Sequence, residues 1–536
     1  DPVRLNQRLP KPFPGEIFMR QPHASGYSLR SAVALSLGLL LSGCALGPDF
    51  QRPAAPAAAR HTLQALAVKT ASVAGTAGEA QSFSPERDIS GQWWELFRSA
   101  ALNDLIRQAL QSNPDLQAAQ AALRAAQENT LAGRGAYFPS LDGKLSANRQ
   151  QANSASTGQA AAATSVYTLY NASVGVSYTL DAFGGVQRQV EALSAQEEYQ
   201  RFQLEGAYLA LTANLVTAAV QEASLRAQAD ASRKLVEFQA RQFAIVQRQF
   251  ELGGIAQTDV LAQQAQLAQT RAALPPLEKA LAQKQNQLAV LTGRFPSAAP
   301  AARFDLAGLT LPTELPLSLA SQLVEQRPDI RAQEALLHKA SAGIGVATAN
   351  ILPQFTISGS LGSAALASGK LFSGPAAAWS LGAGMLQPIF HGGALSHQRK
   401  AALAVYDQAE AQYRSTVLKA FQDVADVLQA LEFDAQTLKA QSEAEQSAAA
   451  SLELAQKQFQ AGAVSFLVLL NAERAQQQAR ISLIQAQAAR YADTAALFQA
   501  LGGGWWNRTA AAQPGAAGGR PASEPPQAQH PTEKKQ

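Results

Sequence analysis

The chain carries one pattern twice, and this duplication constrains the fold more than any other feature. Asn113-Pro114-Asp115-Leu116 returns as Arg327-Pro328-Asp329-Ile330, and Phe138-Pro139 returns as Leu352-Pro353. Phe183 with Gly185 returns as Phe390 with Gly392, Phe250-x-x-Gly253 as Phe459-x-x-Gly462, and Leu288 with Gly293 as Leu497 with Gly502. The copies stand about 210 residues apart, and the offset changes only where loops are expected. Whatever the first half folds into, the second half must repeat.

Each half reads as short helix, helix, two strands, very long helix and returning helix. Asn113 before Pro114 is an N-cap followed by proline at the first helical position, predicting a helix to Tyr137, where Pro139 ends it. The second half predicts the same from Arg327 to Ile351. Period-two segments follow. Leu141, Leu145 and Ala147, then Ala172, Val174, Val176, Tyr178 and Leu180, alternate with polar or small residues in the first half. Phe355, Ile357, Gly359 and Leu361, then Trp379, Leu381, Ala383 and Met385, do so in the second.

From Val186 to Leu252 and from Ala394 to Ala461 there is no proline and only scattered glycine, which predicts two helices of about 100 Å. Val417, Phe421, Val424, Leu428, Leu431, Ala435 and Leu438 are spaced as a coiled-coil seam, as are Leu204, Tyr208, Leu211 and Leu215. Returning helices are expected over Gln257–Leu291 and Ser465–Leu501, with Pro275-Pro276 kinking or breaking the first.

Four alternating strands with one apolar face make an open sheet, whose edges have no water to bond in lipid. Closure with further copies is therefore expected. Three copies give a twelve-stranded barrel, four strands per protomer, whereas two give eight, too narrow for an aqueous duct. The fold class read from the sequence is mainly α with a membrane β-barrel, continued by a long periplasmic coiled-coil barrel and built as an internal two-fold repeat.

Composition limits the partners. Lys and Arg number 44 against 40 Asp and Glu, with no basic block, which argues against nucleic acid. The one cysteine, Cys44, excludes an internal disulfide and any Cys-based metal site. Arg20 and Arg30 precede the apolar run Ala32–Leu41, too short to span a bilayer as a helix, and Leu41-Ser42-Gly43-Cys44 resembles the lipobox of a bacterial lipoprotein signal. That resemblance implies cleavage before Cys44, diacylglycerol on its thiol and acylation of its amine, a stable anchor. Ala45 after the cysteine implies sorting to the outer membrane. Met19 stands at a normal signal length from Cys44, so residues 1–18 read as sequence upstream of a mis-set start.

The expected divisions are 1–43, upstream segment and signal peptide; 44–100, anchor and linker; 101–296 and 297–506, the two repeats; and 507–536, a disordered tail. Residues 54–84 are poor in large apolar side chains and read as linker.

Trp93-Trp94 with Phe97, Leu105, Ala109-Leu110 and Asn113-Pro114-Asp115-Leu116 resemble the opening motif of outer-membrane factors of the TolC/NodT type. Cys44-Ala45-Leu46-Gly47-Pro48-Asp49-Phe50 with Arg52-Pro53 resembles their segment after the lipobox. Leu274-Pro275-Pro276-Leu277-Glu278 and Gln387-Pro388-Ile389-Phe390 with Gly392-Gly393 are also similar to theirs. The resemblance covers roughly Leu41 to Leu501. It implies a homotrimeric exit duct of a tripartite efflux pump, with a periplasmic adaptor and an inner-membrane, usually proton-driven, transporter as partners. The lipid on Cys44 is the only expected addition, with no cofactor or metal.

Leu252-Gly253-Gly254-Ile255-Ala256 and Ala461-Gly462-Ala463-Val464-Ser465 form the expected tips. Glycine suffices there as a turn residue. The resemblance adds adaptor contact at Gly253, Gly254, Ile255, Gly462, Ala463 and Val464. It also places Leu467, Asn471 and Arg474 at the rings that close such channels, on one helical face. Asn471 stands where an aspartate is common, which departs from an acidic, cation-sensitive closure. Ordinary coiled-coil packing is the other reading of Leu467.

No catalytic constellation is present. The six histidines are scattered, and no nucleophile elbow, P-loop or H-E-x-x-H occurs. A lipid-anchored periplasmic adaptor or scaffold would share the long hairpins but would not need duplicated strand pairs with apolar outer faces. An envelope enzyme would need clustered titratable groups. The transported substrate is not legible, because in such a system the inner-membrane pump selects.

Overall fold

The computed structural model describes residues 45–56, 61–62, 66–85, 87–153, 164–299, 302–318 and 320–508. The first half runs β1 (Ser82–Ser84), α1 (Ala100–Ser112), α2 (Pro114–Arg134), β2 (Ser140–Asn153), β3 (Thr164–Leu180), α3 (Gly185–Glu251) and α4 (Gln257–Leu291). The second runs β4 (Glu314–Pro316), α5 (Ala320–Gln326), α6 (Pro328–Ala349), β5 (Gln354–Ala365), β6 (Ala377–Leu386), α7 (Ala394–Gln460) and α8 (Phe466–Ala500). Helices α3 and α7 have 67 residues each, about 100 Å of helix.

The repeat is visible in its joints. Gly293 after α4 has φ +70°, and a Cβ there would lie 2.3 Å from the Ser112 carbonyl oxygen. Gly502 after α8 has φ +94°, and a Cβ there would lie 2.4 Å from the Gln326 oxygen. In each half the returning helix thus ends against the last residue of the half's own first helix, at its junction with the second, where only glycine fits. The chemistry around these matched joints differs. Asn113 caps α2 through Leu116 N–H at 3.0 Å and donates Nδ2 to Leu291 O at 3.0 Å. Arg327 instead donates to Ala500 O at 3.2 Å and pairs with Asp329 and Asp423.

Strands β2, β3, β5 and β6 form one antiparallel sheet in that order. Its register unites the apolar positions. Leu141 opposes Val176, which opposes Gly359, which opposes Leu381. Leu361 joins Val174 to Trp379, and Ile357 joins Tyr178 to Ala383. The other face carries Ser140, Ser177, Ser358 and Gly382, also in one row. Because side chains alternate strictly, one face is mainly apolar through the middle of the sheet and the other mainly polar or small. Leu145, Trp379 and Leu381 are each at least 75% exposed in the single protomer.

The main core lies where the long helices cross a belt built from both halves. Leu204, Tyr208, Leu211, Leu215, Val424, Leu428, Leu431 and Leu438 are buried there, so the seam positions form the packed face. Trp93 stacks on Phe498 at 5.3 Å between centroids, tying the opening motif to α8.

Three expectations need correction. First, α4 runs as one continuous helix through Pro275 and Pro276, so of the kink or break expected there the break does not occur. Arg271 and Ala272, whose carbonyls lose their partners, lie at exposed positions within reach of water. Second, residues 66–85 are packed and not a linker. Parallel pairing of β1 with β4 and the buried Gln81 fix them, Gln81 donating to Pro312 O and Thr494 Oγ1 at 2.9 Å each. Backbone pairing and buried hydrogen bonds do here what large apolar side chains do elsewhere. Third, Asn507 and Arg508 belong to the fold. Asn507 donates to Asp88 at 2.8 Å, while buried Arg508 pairs with Glu205 and lies over the Tyr208 ring at 3.9 Å. The tail reading applies only from residue 509, outside the described residues.

Candidate functional site

The tips are two helix ends of the same design. Gly254 N–H bonds Gln249 O at 2.8 Å and Gly253 N–H bonds Phe250 O at 2.9 Å, with Gly253 at φ +72°. Ala463 and Gly462 repeat this with Gln458 and Phe459 at 2.9 and 3.0 Å, Gly462 at φ +70°. Both are Schellman closures, in which a left-handed residue satisfies the last carbonyls. Gly253, Gly254, Gly462 and Ala463 are exposed. Ile255 is half-buried against Val246, Ala455, Phe466, Leu469 and Leu470, an apolar plug that joins the two tips of one protomer.

Just beyond, α8 presents Leu467, Asn471 and Arg474 on an exposed face, with Leu467 63% exposed. Arg474 is not free: Nε donates to Gln266 Oε1 and Nη2 to Gln269 Oε1 at 3.4 Å, both on α4. The next-door residue escaped notice in the sequence. Glu473 is buried and accepts from Gln239 Nε2 of α3 at 3.3 Å. Gln263 of α4, also buried, donates to Gln239 O at 3.3 Å. Burial pushes the Glu473 carboxyl above its usual range, with the Gln239 hydrogen bond opposing. A lone Glu in a heptad reads as surface, so only a three-helix junction reveals this role.

At the opposite end of α3 the chain after Cys44 forms a strap. Leu46 N–H bonds Phe183 O at 3.2 Å, and buried Arg188 donates to Leu46 O at 3.3 Å and pairs with Asp49 at 2.6 Å. Phe50 stacks on His338 at 4.4 Å. Ala45 lies against Gly184, where a Cβ would come within 2.5 Å of its Cα. Cys44 lies outside the described residues, but its neighbour sits where β3 turns into α3.

A four-stranded sheet with one apolar and one polar face, set at the end of paired helices about 100 Å long, defines a class: membrane-inserted ducts with a helical extension. The chain belongs to the outer membrane efflux protein family, whose description matches residues 105–294 and 319–503. It is a TolC-type outer membrane protein. Among its relatives, the pyoverdine export outer membrane protein OpmQ of Pseudomonas aeruginosa is 32% identical over 77% of this chain and 87% of the relative. The probable efflux pump outer membrane protein TtgC of Pseudomonas putida is 29% identical over 90% of this chain and 97% of its own. The structure matches that of the outer-membrane channel OprN with TM-score 0.76 and 28% identity, covering 86% of this chain and all of that one. The Campylobacter jejuni CmeC channel shares the fold at TM-score 0.77 and 21% identity, over 86% of this chain and 95% of that one.

Proposed function

We propose that three copies of this chain close their sheets into a twelve-stranded outer-membrane barrel and their helices into a periplasmic duct. The duct conducts substrates passively from an inner-membrane, proton-driven transporter and a periplasmic adaptor to the outside. One observation carries this reading: the four-stranded sheet has an apolar face across every strand while β2 and β6 each leave an edge unpaired. Such a sheet is stable in lipid only when β6 of one copy pairs with β2 of the next. Leu418, Phe433 and Leu454 on the outward side of α7 are exposed in the single protomer and supply an apolar seam for the same neighbour.

In this reading Cys44 carries diacylglycerol and an N-acyl chain, and the strap that ends at Ala45 holds the lipid beside the sheet. The exposed tips around Gly253 and Gly462 meet the adaptor. Leu467, Asn471 and Arg474 line the periplasmic mouth, with closure owed to Leu467 contacts and to the Arg474 hydrogen bonds.

Native mass determination in mild detergent tests the assembly, with a trimer expected. A monodisperse monomer that keeps its full strand content would overturn the duct.

A further inference from the structure

A cavity of about 710 Å³ lies between the two long hairpins beside the belt. Its walls come from α3, α7 and α8, from residues 73–76 and from residues 303–307. Four cations line it: Arg226 and Lys234 on α3, Arg303 on the segment after α4, and Arg480 on α8. The floor is apolar, formed by Leu438, Leu483 and Ile484, all buried.

The acids at this cavity are already engaged. Asp230 pairs with Arg233 at 2.6 Å, and Asp305 accepts from Ala307 N–H at 3.3 Å. Glu222 is wholly buried and takes both Arg226 Nη2 and the Phe304 N–H. The cations are less well supplied. Arg226 Nε is buried without an acceptor, and Arg480 reaches Glu445 only at 3.7 Å. Lys234 and Arg303 make no hydrogen bond or ion pair with any described residue. Arg226 is neutralised by Glu222, which leaves Lys234, Arg303 and the loosely paired Arg480 to raise the local potential beside the apolar floor and favour an anion. Guanidinium groups accept carboxylate or phosphate in forked geometry.

We propose that this crevice binds a small polyanion, a molecule carrying two or more carboxylate or phosphate groups, and that the bound ligand bridges the first hairpin to the second. Lys234 holds it from α3 and Arg480 from α8, with Arg303 closing over it. A volume of about 710 Å³ suits such a molecule better than a single halide. Both walls belong to one chain, so binding needs no second copy. Only the consequence for opening rests on the duct reading: a ligand that ties α3 to α8 favours whichever state keeps the hairpins together.

The test uses the full-length protein, purified in detergent, with citrate and pyrophosphate as probes against chloride and acetate at matched ionic strength. Saturable heat of binding is expected for a polyanion, with a rise in melting temperature of about 2 °C near saturation. The double variant Lys234→Gln with Arg303→Gln, both exposed side chains, should lose at least tenfold in affinity while melting normally in chloride. An equal shift with acetate or chloride, a response that never saturates, or full affinity in the double variant would overturn the site. Single-channel recording of the double variant without probe reports separately on the duct: conductance should match the parent, and its absence in both proteins would count against the duct reading alone.

Discussion

Glu473 of α8 and Gln239 of α3 meet in the interior at 3.3 Å, joining the returning helix of the second hairpin to the long helix of the first. This contact sits one residue from Arg474, which reaches α4 through Gln266 and Gln269. The two hairpins are therefore held to each other near the tips by a buried acid and by an arginine with neutral partners.

Burial raises the Glu473 pKa, so folding takes up a proton that the unfolded chain releases at lower pH. The stabilising contribution is full below the unfolded value and is lost as pH rises through the folded one. Glu473→Gln keeps the shape and removes the ionisable group. The variant should melt higher than the parent at pH 7.5, by about 1 kcal/mol of stability, with the gap narrowing near pH 5. Thermal scans across that range decide it, and a variant less stable at every pH would show that the charge is needed.

At the mouth, Leu467→Ser should weaken closure and raise single-channel conductance in planar bilayers. Arg474→Ala should act in the same direction, because it deletes hydrogen bonds to α4. Unchanged conductance for both, in protein shown to be trimeric and inserted, would locate the constriction elsewhere.

The tips depend on left-handed glycine. Gly462→Val forces a β-branched residue to φ +70° and should cost about 1–2 kcal/mol locally. A shorter α7 end and weakened adaptor binding are expected, measured by hydrogen exchange and by adaptor pull-down. Parental exchange and binding would show that the turn tolerates side chains.

In the belt, Asp493 of α8 faces Asp434 of α7, and its pKa is pushed up to about 7 by burial and by the neighbouring Asp434 carboxylate. The buried Asp434 Oδ2 has no hydrogen-bond donor among the described residues. Since its folded pKa exceeds the unfolded one, Asp493 contributes most stability below about pH 4 and loses it as pH rises through about 7. Asp434→Asn removes the like charge and should flatten the decline in melting temperature between pH 5 and pH 8. An unaltered slope would assign the pH dependence to other groups.

Cys44→Ser should yield protein that is exported but mis-anchored. Mass spectrometry of the mature N-terminus of the parent reads the acyl groups directly. An uncleaved or unmodified Cys44 in outer-membrane protein would refute lipidation.

Much of the architecture was legible in the sequence because it depends on period and punctuation. Both long helices fall within a residue of their expected ends, since proline-free runs bounded by glycine leave few alternatives. The apolar strand positions were likewise readable from alternation. Composition misled at residues 66–85, where β1 pairs with a strand more than 200 residues away and buried Gln81 replaces apolar packing. It misled again at Asn507 and Arg508, whose partners Asp88 and Glu205 are equally remote.

The sequence by itself determined what lies along one element: helix length, strand alternation, the tip glycines and the two-fold repeat. Tertiary structure alone decided what lies between elements: the register that joins Leu141, Val176, Gly359 and Leu381 into one face, the burial of Glu473, and the placing of Asp493 beside Asp434. The physical reason is that periodicity is a local steric property of the backbone. Whether a charge is buried, partnered or exposed depends on which distant helix packs over it.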